Sequence, residues 1–102
     1  MTLKSWSLAS CPLKSLVDGS TDKWTQSTAV ANEYYYTGST LTMRPSAVYI
    51  DGSAASEAEA GSLAEGCWAW GDNDALGYDT VYVRLVGGGD PDTKGADYVE
   101  CS

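Results

Sequence analysis

Histidine is absent from this chain of 102 residues. That removes the usual general base and the commonest metal ligand. Phenylalanine is absent too, although there are four Trp and seven Tyr. Basic residues are few: 6 Lys and Arg stand against 14 Asp and Glu, for a formal charge of −8. Nucleic acid and anionic membrane both demand a Lys/Arg footprint, so neither is an expected partner. No apolar run approaches the ~18 residues of a transmembrane helix. The opening residues, Met1 to Trp6, lack the apolar stretch of a signal peptide, which leads us to expect synthesis in a cytoplasm. These absences point away from an enzyme and towards a binding or structural part, with no cofactor expected.

What remains is enough for one domain. A chain of this size buries roughly 60–70% of the surface that its unfolded form exposes, which allows one modest core. Eleven Gly, three Pro and many Ser, Thr and Asp divide it into short pieces. The apolar runs between them are rich in Val, Tyr and Trp, the pattern of short strands joined by turns. The expected fold is all-β: a single small antiparallel β-sandwich or barrel-like domain with an extended N-terminal arm. Residues 1–31 read as the arm or irregular segment and 32–102 as the β domain.

Within 1–31, Lys23-Trp24-Thr25 offers one anchoring aromatic in a polar stretch, and an arm of this kind packs on its own domain or lies across a neighbour. Glu33 to Thr37 reads as a strand with aromatics on both faces. Leu41-Thr42-Met43 alternates again until Pro45 interrupts. Ala47 to Ile50 is the next strand, closed by the turn signal Asp51-Gly52. Ser53 to Gly61 lacks an apolar stripe and reads as an exposed loop or hairpin tip. In the strand Cys67 to Trp70 the two indoles share a face. Asp79 to Val86 is the clearest strand, with Val81, Val83 and Leu85 expected inside and Tyr82, Arg84 and Val86 on the other face. Ala96 to Cys101 adds a last short strand.

Charge is divided unevenly along the chain. Residues 1–50 carry +1 and residues 51–102 carry −9. Such a dipole steers docking onto a basic partner or another copy, or is ordinary solubility charge. The three cysteines, Cys11, Cys67 and Cys101, have no metal-ligand spacing. An odd count without a signal peptide suggests reduced thiols, and the sequence leaves a Cys11–Cys101 bridge open.

One motif occurs twice. Gly71 to Asp79 and Gly89 to Asp97 both read Gly-Asp-x-Asp-x-x-Gly-x-Asp. Clustered oxygens on a Gly-kinked loop invite calcium, with Asp72, Asp74, Asp79, Asp90, Asp92 and Asp97 as ligands. Leu76 and Lys94 occupy the position where a further oxygen is needed, and no distal Glu follows. Asp residues that cap turns through backbone amides explain the motif without a metal, and no metal is the expectation. Serine and cysteine have no His partner, Gly87-Gly88-Gly89 is not a phosphate loop, and no Glu stands in a setting that marks a glycosidase acid. Trp68 and Trp70, with Tyr34, Tyr36, Tyr49 and Tyr82 nearby, form either a recognition platform or the filling of a core.

The segments Asn32 to Thr37, Val48 to Gly52, Leu63 to Asp74, Leu76 to Leu85 and Asp90 to Asp92 together look like small virion proteins of tailed bacteriophages. The likeness spans about 32–98 and is most specific from Trp68 to Leu85. It implies an all-β, non-enzymatic, oligomeric protein of a capsid or tail. The expected function is capsid decoration: a cement protein on the outer surface of the virion that bridges neighbouring subunits. Its partners would be the major capsid protein and copies of itself, as in a trimer. Trp6, Trp24, Tyr34, Tyr36, Trp68, Trp70 and Tyr82 are the expected interface residues. The alternatives are a tail-fibre or receptor-binding domain that recognises host glycans, or a tail or connector component.

Overall fold

Alternation of apolar side chains builds the centre of the molecule. The computed structural model describes residues 14–16, 23–38, 41, 43–73, 76–95 and 97–102. Strands β7 (Cys67–Asn73) and β8 (Tyr78–Arg84) pair antiparallel from Cys67↔Arg84 to Asn73↔Tyr78. β3 (Glu33–Tyr36) pairs with the other side of β8, and β2 (Trp24–Gln26) pairs with β3. β6 (Ser56–Glu57) lies parallel to β7 and completes a five-stranded sheet in the order β2-β3-β8-β7-β6. A second sheet has the order β1-β9-β4-β5, from β1 (Lys14–Ser15), β4 (Val48–Ile50), β5 (Ser53–Ala54) and β9 (Val99–Cys101). The chain is therefore all-β with two small sheets. No helix among the described residues is long and apolar enough to cross a membrane.

One core joins the sheets. Val48, Ile50, Val99 and Cys101 from the second sheet meet Trp24, Tyr36, Trp68, Val81 and Val83 from the first, with Leu16, Leu41 and Leu85 filling between them. The alternation of β8 aims Val81 and Val83 at this core, as expected. Its other face is covered as well. Tyr82 is buried with Leu63 and Ala69 in a separate cluster, so only one of the two faces was read correctly from the strand.

The Asp51-Gly52 signal is a true hairpin turn. Both residues have positive φ, 52° and 80°, and Ile50 pairs with Ser53 across it. A two-residue turn with both central φ positive matches the twist of the strands that it joins. The chain then changes sheets: Ser53–Ala54 extends one, Ser56–Glu57 the other, and Ala55 donates its N–H to the Val48 carbonyl between them at 2.8 Å. The expected exposed loop at Ser53 to Gly61 is thus partly strand, although Ser53, Ala54, Ser56 and Glu57 are exposed.

One further expectation changes. Neither Leu41 nor Met43 belongs to a strand: Leu41 and Pro45 are buried, Met43 is exposed, and Thr42 lies outside the described residues. Within residues 1–31, Lys14–Ser15 and Trp24–Gln26 are strands of the two sheets. Trp24 also ties the sheets together, its indole N–H donating to the Leu16 carbonyl at 2.8 Å.

Candidate functional site

The aromatic residues named from the sequence divide by burial. Trp24, Tyr36, Trp68 and Tyr82 are each buried within the chain and are core residues, not exposed anchors. The reason is the sheet itself. Trp24 and Tyr36 are cross-strand partners with ring centroids 5.2 Å apart, and Trp68 faces the same core from β7. A pair tilted in this way, at 60° between ring planes, gains packing energy beyond its buried area. Tyr34 and Trp70 are half-buried at the margin of that core. Trp6 lies outside the described residues. The structure thus brings six of the seven to one sheet but leaves only Tyr34 and Trp70 partly open among those six. A platform of two parallel indoles for a sugar ring is not presented, because Trp68 lies inside.

Trp68 is roofed by charge. The Arg44 guanidinium stands 5.4 Å from the indole centroid and forms an ion pair with Glu57. A cation over an indole face is attracted by its quadrupole. Arg44 and Glu57 are both about half exposed, so the ion pair itself adds little stability.

The second copy of the acidic motif is a folding device. Asp92 accepts the N–H of Lys23 at 2.8 Å on one oxygen and that of Trp24 at 3.0 Å on the other. Asp90 accepts the Asp92 N–H at 2.9 Å and caps the 3-10 turn Pro91–Thr93. This is the turn-capping use of Asp, and it engages carboxylates that a cation would require. Asp97 is exposed, with φ of 64°. In the first copy Asp72 and Asp79 are backbone register partners in the β7–β8 ladder, and Asp74 lies outside the described residues. Among the described residues no group of three or more acidic or cysteine side chains could hold a metal ion.

Tyr34 is near Asp90. Burial, and then the negative charge of Asp90, raise its phenol above the ordinary value of 10.0. Lys94 sits 5.6 Å from the Tyr98 ring centroid. Cys67 is a free, half-buried thiol, as expected. Cys101 is disulfide-bonded, the alternative to reduced thiols that the sequence leaves open; the other half of that bridge lies outside the described residues.

Two charged residues escaped the sequence reading. Glu33 is fully buried, and its carboxylate accepts N–H groups from Gly61 at 3.0 and 3.1 Å and from Leu63 at 3.1 Å. Arg84, its cross-strand partner, donates to the Leu63 carbonyl at 3.0 Å. The available signal was parity. Glu33 shares a face with Tyr35, and Arg84 with Tyr82, so both charges lie on a face that carries aromatic rings (the rings of Tyr35 and Tyr82 are 5.7 Å apart). No family model, curated protein or solved structure matches this chain.

Proposed function

We propose that this protein is a non-enzymatic structural component of a phage virion, a decoration protein that stabilises the capsid from its outer surface. The observation that carries this reading is how its chemically capable groups are employed. Glu33 and Asp92 are bound by backbone amides, and Trp24, Tyr36 and Trp68 fill the core. Such a domain is a rigid block whose contribution to a partner is its outer surface. The sequence likeness to small phage virion proteins supplies the biological setting.

We read the two sheets as a small sandwich whose outer surface meets neighbouring subunits. The −9 charge of residues 51–102 favours a basic face on the shell and, by steering, the correct orientation on approach. At about 25 cal/mol per Å² of apolar area, a few hundred Å² per copy favours the decorated shell by several kcal/mol before ordering costs. Identical contacts repeated over the shell then act together.

The test is to compare particles with and without the protein under heating and osmotic shock, while counting copies by quantitative mass spectrometry. Hundreds of copies, with early loss of genome in their absence, support the reading. Particles that withstand both treatments equally well, or a handful of copies at one vertex, overturn it.

A further inference from the structure

We propose that residues 58–66 form a latched strap that opens as a unit while the main core stays closed. β6 and β7 run parallel, so the chain between them must leave the sheet and return across its face. The strap is that crossover, Ala58 to Gly66. Only Leu63 in it is buried, and the remaining side chains are Ala, Ser, Gly and exposed Glu.

At its two ends the strap is tied into the sheet, the Ala58 and Gly66 N–H groups donating to the Trp68 and Arg84 carbonyls at 2.8 and 2.7 Å, and between these ends what holds it is polar and local. The Glu33 carboxylate takes the N–H groups of Gly61 and Leu63, and Arg84 takes the Leu63 carbonyl. Two residues of β3 and β8 therefore grip three backbone groups of one turn. The apolar part of the grip is the cluster of Leu63, Ala69 and Tyr82, which lies on the opposite side of the sheet from the main core. Opening exposes this cluster alone. Positive φ at Gly61, 91°, and at Gly66, 77°, gives the strap permissive backbone in its middle and at its end.

Opening also returns Glu33 to water. A buried carboxylate has forgone hydration for its hydrogen bonds from two backbone N–H groups, so rehydration offsets part of the loss. A segment with one small apolar contact and a hydratable latch belongs to the low-stability end of a fold. When open, it uncovers an apolar strip of Ala69 and Tyr82 that the closed protein hides.

Amide hydrogen exchange, resolved by NMR on the full chain, tests this directly. The Gly61 and Leu63 amides should exchange at least about tenfold faster than the slowest amides of β8, the mark of sub-global opening. Equal protection at both places would mean that the strap opens only when the whole domain unfolds, and would overturn the proposal. In Glu33→Gln one acceptor oxygen becomes a donor aimed at donors. Strap amides should then accelerate by a further factor of about ten, with the β8 amides nearly unchanged. Parallel acceleration of both sets would equally sink the idea. If Glu33→Gln does not fold, the wild-type comparison alone decides.

Discussion

The Asp92 carboxylate reaches the backbone N–H of Trp24, 68 positions away in sequence, at 3.0 Å, and that of Lys23 with its second oxygen. β2 is an edge strand, and an edge presents unpaired backbone groups to other chains. Asp92 caps one end of that edge. Asp92→Ala should cost about 1–3 kcal/mol, the penalty for orphaned donors, and Asp92→Asn less. Urea unfolding measures both; a loss under about 0.5 kcal/mol for Asp92→Ala would mean that the contact contributes nothing.

Trp68 discriminates between a core and a platform. Its indole is buried beneath Arg44. Trp68→Ala should destabilise the fold by about 3–5 kcal/mol, as large aromatic truncations in cores do. A variant that melts like the wild type would place the ring on the surface.

Gly38 is required by a neighbour's ring. A Cβ there would stand 2.6 Å from the Tyr36 hydroxyl oxygen, and Tyr36 is buried. Gly38→Ala should therefore cost about 1–3 kcal/mol through displaced packing. The ring carbons Cζ and Cε1 of Tyr36 would stand at 2.7 and 2.8 Å as well, so double substitution with Tyr36→Ala, which removes the whole ring, should cost less than the sum of the two single changes. Simple additivity in a thermal-melt cycle would refute the coupling.

Tyr34 sets an alkaline signature. Burial and Asp90 keep its phenol protonated to higher pH in the folded chain than in the unfolded one. Between the unfolded value near 10 and the higher folded value, the native state holds the extra proton, so stability falls as pH rises. The contribution is fully present below pH 10. Wild type should lose more stability than Tyr34→Phe between pH 9 and pH 11 in paired urea titrations; equal losses would contradict the shift.

The cysteines give a count. With Cys101 bridged and Cys67 free, the denatured chain should show one reactive thiol without reductant and three after reduction. Three thiols before reduction would show that the bridge does not form. Reduction should lower stability by roughly 2–5 kcal/mol, the usual range for a small domain.

The long strands were legible because their signals are local. Alternation marked Glu33 to Thr37, Cys67 to Trp70 and Asp79 to Val86, where the strands run Glu33–Tyr36, Cys67–Asn73 and Tyr78–Arg84, and Asp51-Gly52 marked its hairpin. The two-residue strands Lys14–Ser15, Ser53–Ala54 and Ser56–Glu57 carry no period to read, and tertiary partners alone define them. The face of β8 with Tyr82 was misread for a related reason. Its cover is a strap with one large apolar residue, Leu63, too little to register as an element that buries anything. The repeated acidic motif does not make a repeated structure. Identical spacing gives a strand-and-hairpin in one copy and a 3-10 turn in the other, where Pro91 fixes the backbone at the turn's first residue. Burial decided the aromatic site, and burial depends on which sheet a strand joins.

The last strand, Val99–Cys101, is bonded on one side to Lys14–Ser15 and on the other to Val48–Ile50. Tension applied along it is therefore shared by two ladders in shear, not peeled off one bond at a time. From Val48–Ile50 the covalent path crosses at Ala55 into the edge of the other sheet, so the load continues into both layers. A domain wired in this way resists being unzipped from Val99–Cys101.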